Sequence, residues 1–316
     1  MAEERKDWQK MLDWIVASKL LYVIFIVIFA LYLLTRSVIF AALTAISLIA
    51  LFVAESVQSA SKTGWKNELK EILIAVIVGG LIWYGSGFLL QTSAPLDAVI
   101  SCSMLPNLER GDMVVLQGGI PQAPEVALSG AEFDAQDWKR EQLVCALCER
   151  RNSSSGMIYN ELCTASTEMT EFGLRLIGEV NQTGNLVQYE CGLCTRKYAN
   201  GTVASFPCTK SISVKGQRIE PNVSNDIIVY GPSAGNVFAG ETIHRVLAKL
   251  NVDGKYYYLM KGDNNEQLDI QYGNVPAPQE KEVGKVVFRM PYVGYLKLFL
   301  FGFLGTPPGC DSTLGG

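Results

Sequence analysis

A chain with a single histidine has one imidazole for acid–base chemistry, and here it is His244, in Thr242-Ile243-His244-Arg245-Val246-Leu247. Neutral imidazole, with an ordinary pKa of about 6.5, can take a proton at neutral pH without the desolvation an amine base needs. The hydroxyls it could serve include Ser101 and Ser103, which flank Cys102 and run on as Met104-Leu105-Pro106-Asn107-Leu108-Glu109-Arg110-Gly111-Asp112 into the strand-like Met113–Leu116. A serine hydroxyl is a weak nucleophile until a base removes its proton, so any such serine needs a partner brought to it by the fold. Carboxylates that could orient the imidazole stand in Met260-Lys261-Gly262-Asp263-Asn264-Asn265-Glu266-Gln267-Leu268-Asp269.

Taken singly, each segment has a plainer explanation. Ser-x-Ser fits a polar turn before a strand, a lone histidine is more often structural, and Gly-Asp-Asn-Asn makes a tight turn whose side chains bond their own backbone. Together and in this order, the three resemble the nucleophile, histidine and aspartate boxes of type I signal peptidases, in the archaeal and endoplasmic-reticulum branch. The bacterial branch has lysine where His244 stands. The resemblance runs from about Ile100 to Gly118-Gly119, resumes near Asn225, and continues to Met290-Pro291-Tyr292-Val293-Gly294-Tyr295, about a third of the chain.

The resemblance implies a serine endopeptidase with Ser103 as nucleophile and His244 as general base. Asp269 is the expected orienting carboxylate, with Asp263 second and more structural. The Ser103 backbone N–H and the Ser101 hydroxyl are the implied oxyanion donors, a kind of contact that stabilises a tetrahedral intermediate by about 3 to 4 kcal/mol. This chemistry requires no metal or organic cofactor. Short side chains beside the cleaved bond follow from shallow pockets of the expected kind.

Two departures stand out. About 140 residues separate the nucleophile and histidine boxes, more than compact members of the family use. That excess holds six of the eight cysteines: Cys145, Cys148 and Cys163, then Cys191, Cys194 and Cys208. Cys145-Ala146-Leu147-Cys148-Glu149-Arg150 aligns with Cys191-Gly192-Leu193-Cys194-Thr195-Arg196, which reads as an internal duplication. Paired Cys-x-x-Cys motifs suit structural zinc, and an oxidising compartment suits disulfides, so both readings stay open. The second departure is Cys102, where the family often has glycine, read as a small packed side chain. Four glycosylation triplets, at Asn152, Asn181, Asn200 and Asn222, lie within or beside the insert.

The elements that must position this chemistry begin with a membrane region. Some 49% of residues are apolar, and the excess lies in the first ninety. Leu20–Leu34 and Val38–Ala54 read as a helical hairpin, and Ile72–Leu90 as the cleanest span. Basic residues gather before the first run and between the second and third, which predicts a cytoplasmic N-terminus and an outside location for everything after Leu90. About a dozen residues then keep Ser103 within about 40 Å of the bilayer even if fully extended. A retained anchor is favoured over a cleavable leader.

The expected architecture is a mainly β catalytic domain of signal peptidase type with N-terminal transmembrane helices and a cysteine-rich insert. Its divisions are residues 1–19 (cytoplasmic), 20–90 (about three transmembrane helices), 91–140 and 213–291 (catalytic), 141–212 (insert) and 292–316 (apolar, interfacial or membrane-dipping). A multi-pass protein of the cell membrane, with an extracytoplasmic catalytic domain, would meet preprotein signal peptides, membrane lipid and the protein translocation machinery. A net charge of −4 without a basic stripe argues against nucleic acid. The alternative from another class is an extracytoplasmic interaction protein, stabilised by zinc or disulfides, on a peptidase scaffold.

Overall fold

A computed structural model describes residues 14, 18–35, 37–136, 138, 147–151, 158–162, 186–233, 238, 240–303 and 305–315. Three helices come first: α1 (Leu20–Thr35), α2 (Val38–Thr63) and α3 (Trp65–Leu90). In α2 and α3, the segments Ala42–Lys62 and Trp65–Leu90 are long and apolar enough to cross a membrane. The sequence places the third span at Ile72–Leu90, but the helix starts seven residues earlier, at Trp65. Helix α1 has 16 residues, about 24 Å, short of the roughly 30 Å hydrocarbon core. Along α3 the side chains of Leu73, Ile77, Leu81, Phe88 and Leu89 are all exposed. An apolar surface facing outward all round a helix is what lipid accepts and water does not.

The rest of the chain follows as β1 (Leu96–Ala98), β2 (Met113–Gln117), β3 (Glu125–Leu128), α4 (Gly130–Ala135), β4 (Leu147–Arg151), β5 (Ile158–Leu162), β6 (Val187–Tyr198), β7 (Val203–Val214) and β8 (Gln217–Ile219). After these come β9 (Ile227–Tyr230), β10 (Thr242–Val252), β11 (Lys255–Lys261), β12 (Ala277–Pro278), β13 (Glu282–Met290), α5 (Tyr295–Leu300) and β14 (Ser312–Gly315). The main sheet runs β1-β2-β13-β9-β10-β11-β12, with β3 added in parallel to the far half of β10. Register shifts in β10 and β13 curl it, because a bulge bends the strand that carries it.

Strand β10 is rich in Val, Ile, Leu and Thr, and the turn Asp253-Gly254 joins it to β11 with both residues at positive φ (48° and 88°). Aspartate-glycine tolerates that geometry, and the turn's twist matches the flanking strands. Behind the first strands a compact core holds Val99, Met104, Leu108, Val114, Leu116 and Val229. Met104 and Leu108 belong to the Ser103 turn itself and are 1% and 3% exposed, so the turn is plugged into the core by its own side chains.

A second sheet, β14-β6-β7-β8, is built on the long hairpin β6–β7, and β4 and β5 form a separate antiparallel pair. The described part of the first cysteine motif, residues 147–150, thus lies on an antiparallel pair, and the second copy lies on the β6–β7 hairpin. Cys194 is disulfide-bonded to Cys208 and Cys191 is also in a disulfide, so these thiols are not available as zinc ligands. Cys145 and Cys163 lie outside the described residues, and for Cys148 only the backbone is described. Cys102 is no simple packed thiol: it forms a disulfide with Cys310, 208 residues away. The reading of Cys102 as a small space-filler is therefore corrected, its partner being delivered by the C-terminal segment.

That segment packs on the main sheet on one side. Leu298 is buried and Lys297 pairs with Asp97 at 2.6 Å, while Leu296, Phe301 and Phe303 stay exposed. Helix α5 has only six residues and does not span a membrane. The end of α3 is tied to the sheet where Gly118 N–H donates to the Leu90 carbonyl at 2.8 Å and the Thr92 hydroxyl donates to the Val283 carbonyl. These bonds tie the sheet to the end of the last apolar helix.

Candidate active site

Strand β10 carries His244 and Arg245 on opposite faces, as successive strand residues must be. His244 is 3% exposed and faces the Ser103 turn, and its Nε2 lies 3.0 Å from Ser103 Oγ. Its Nδ1 lies 2.7 Å from Asp269 Oδ2. Asp269 starts a 3-10 turn, Asp269–Tyr272, and is 2% exposed. Its backbone carbonyl accepts from both the backbone and the side chain of Asn274, which hold the turn in place. A carboxylate can only accept, so Nδ1 carries the ring proton and the Nε2 lone pair faces the serine hydroxyl. The set Ser103–His244–Asp269 thus forms one continuous hydrogen-bonded chain.

The remaining candidates divide between the site and its frame. Ser101 Oγ lies 3.1 Å from Ser103 Oγ. The Ser103 N–H donates to no acceptor among the described residues. The Ser103 N–H is thus unengaged, while the Ser101 hydroxyl is bonded to Ser103 Oγ. Asp263 does not reach His244. Arg245 grips it through Nε at 2.8 Å and Nη2 at 2.7 Å, and Asn107 donates to it at 2.7 Å. It is a structural acid that joins β10, the end of β11 and the Ser103 turn. Arg245 also donates to the carbonyls of Val223 and Asn225, so four of its five N–H groups are engaged.

Three contributors were missed by reading the sequence. Tyr230 on β9 donates its phenol to Asp269 Oδ2 at 2.6 Å. Burial, and then the neighbouring carboxylate, push that phenol far above its ordinary value, so it stays a donor. No local pattern marks a tyrosine for this role. Asn264, inside the Gly-Asp-Asn-Asn turn, donates its backbone N–H to the Ser103 carbonyl at 2.7 Å and its side chain to the Cys102 carbonyl at 3.0 Å. The Cys102–Cys310 bridge had a signal, two cysteines left over from a cluster of six.

Lys261, the amine nearest this frame in sequence, is buried, and burial pushes its ammonium down while Asp263, Glu266 and Asp269 pull it up. Its Nζ donates to the Gly262 carbonyl at 3.2 Å and makes no bond to Ser103. Of the two, only the imidazole lies within hydrogen-bond distance of Ser103 Oγ. Comparison of the chain with family models, with curated proteins and with solved structures finds no match.

Proposed function

We propose that this chain is a membrane-anchored serine endopeptidase of the type I signal peptidase family, in its serine–histidine branch, and that it removes signal peptides from secreted and membrane preproteins. The observation that carries the reading is the unbroken chain Ser103 Oγ, His244 Nε2, His244 Nδ1, Asp269 Oδ2, assembled from three segments whose motifs resemble that family in the same order. In this mechanism His244 takes the Ser103 proton as Oγ attacks the scissile carbonyl, and Asp269 stabilises the imidazolium. The Ser103 N–H and the Ser101 hydroxyl receive the oxyanion. His244 then gives its proton to the leaving amine, and water, activated by the same ring, releases the acyl group.

Placement supports the substrate class. A signal peptide keeps its apolar core in lipid and exposes a small-residue cleavage site just beyond it. The sheet that carries Ser103 is bonded to the end of α3, a helix long and apolar enough to span. In the topology proposed, α2 and α3 anchor the protein and the sheets lie on the extracytoplasmic side, near the translocation machinery. The described glycosylation triplets, with Asn200 and Asn222 exposed, agree with that side. Disulfides at Cys102–Cys310 and Cys194–Cys208 agree with an oxidising compartment.

The test is cleavage of a model preprotein by the detergent-solubilised chain, beside Ser103→Ala and His244→Ala. Cleavage lost in both variants is the expected result. Cleavage that survives Ser103→Ala overturns the assignment.

A further inference from the structure

The outer side of the Ser103 turn is held by one side chain. Asn264 is 4% exposed, and its amide nitrogen donates to the carbonyls of Cys102 (3.0 Å), Gly309 (3.2 Å) and Ser312 (3.0 Å). Its amide oxygen accepts from Leu314 N–H at 2.7 Å and from Arg196 Nη1 at 3.4 Å. Both ends of the amide are fully used, so an acceptor-only carboxylate of the same shape cannot replace it.

Three of these partners belong to one segment, residues 305–315. The same segment reaches the nucleophile turn through the Cys102–Cys310 disulfide and through Arg110, which donates to the Gly305 carbonyl at 2.8 Å. It reaches the disulfide-bonded hairpin through β14 on β6 and through Ala199 N–H, which donates to the Asp311 carbonyl at 2.7 Å. Arg196, on β6 and 8% exposed, closes the frame with bonds to the Asn264 carbonyl at 2.9 Å and to Ser312 Oγ at 3.2 Å, and pairs with Glu266.

We infer that residues 305–315 form a positioning strap, with Asn264 as its fastening, that aims the Ser103 backbone N–H. The peptide unit between Cys102 and Ser103 is planar and trans, so its carbonyl and N–H point opposite ways. Asn264 fixes the carbonyl, and the bridge to Cys310 fixes the side chain of the same residue. The N–H of Ser103, which has no acceptor among the described residues, is thereby held toward the site. The cysteine hairpin and the C-terminal strand are then parts of the catalytic frame rather than appendages.

This inference rests on the peptidase reading, and its test keeps the two apart. The full chain in detergent is compared with Asn264→Asp and with the double variant Cys102→Ala, Cys310→Ala, by preprotein cleavage and by hydrogen–deuterium exchange over residues 101–108. An oxyanion donor acts in the transition state, so kcat should fall with KM unchanged, by on the order of 100-fold for Asn264→Asp. Exchange at Leu105 and Leu108, whose amides bond within the turn, should quicken in both variants. If Asn264→Asp does not fold, the double cysteine variant decides by the same two readouts. Unchanged kcat with unchanged exchange, or a rise in KM alone, overturns the strap. Failure of the peptidase reading shows instead as cleavage that does not depend on Ser103, and the exchange measurement then still decides whether the strap holds the turn.

Discussion

Tyr230 and His244 bind the same oxygen of Asp269, at 2.6 and 2.7 Å, from neighbouring strands β9 and β10. The second oxygen of that carboxylate has no hydrogen-bond partner among the described residues. The phenol therefore fixes the carboxylate in the rotation that faces the imidazole. Tyr230→Phe keeps the ring's volume and removes only the donor, at a cost of about 1.5 to 3 kcal/mol for a bond to a charged group. The expected outcome is a fall of about 10-fold or more in kcat at nearly unchanged KM, measured by preprotein cleavage.

Asp269 and Asp263 sit six residues apart and should fail in opposite ways. Asp269→Asn presents an amide to Nδ1 and favours the wrong imidazole tautomer, so kcat should drop by on the order of 10⁴-fold while the fold persists. Asp263→Asn removes the charge that the nearly buried Arg245 fork pairs with, and breaking such a pair costs about 3 to 5 kcal/mol. That variant should melt at clearly lower temperature. Thermal melting read beside cleavage separates them: a low melting point for Asp269→Asn, or a normal one for Asp263→Asn, contradicts the division of roles.

Gly262 is required for closeness. A Cβ there would lie 2.8 Å from the Ser103 carbonyl oxygen and 2.6 Å from the Asn265 side-chain nitrogen. The asparagine tip can swing away, but the carbonyl is backbone and carries the Ser103 side chain with it. Gly262→Ala should therefore displace Ser103 from His244 and cut kcat by on the order of 100-fold, as a misplacement of about 1 Å does elsewhere. Labelling of Ser103 by a serine-reactive fluorophosphonate should slow in parallel; normal labelling would refute the displacement.

How much of this was legible follows from what each residue depends on. That Ser103, His244 and Asp269 come together was readable because their motifs are local and their order fixed. The Asp253-Gly254 hairpin was equally open to sequence reasoning, since it needs two residues tolerant of positive φ. Tyr230 was not readable, because its role comes from strand register, Thr242 standing opposite it on β10. The Cys102–Cys310 pairing depends on a return of the chain after 208 residues, which no spacing encodes. The start of α3 at Trp65 was missed for another reason: polar residues in its first two turns hide a helix that hydropathy alone traces only from Ile72.

One half-buried acid outside the site gives the chain a pH signature. Burial raises the Glu282 carboxyl to about 7, against the opposing effects of the Tyr258 hydroxyl bond and Lys285. Its Oε1 has no partner among the described residues. A carboxyl whose folded pKa lies above its unfolded value of about 4.5 binds its proton more tightly when folded. Stability contributed by that proton is full below about 4.5, is lost as pH rises toward about 7, and stays lost above it. Glu282→Gln keeps an oxygen for the Tyr258 hydroxyl and cannot ionise. The variant should therefore match the unmodified chain near pH 4.5 and exceed it in melting temperature by an amount that grows up to about pH 7 and then levels off. Melting curves at several pH values in one detergent check this, and a gap that stays constant across the range, or widens toward acid, shows that Glu282 is not the group responsible.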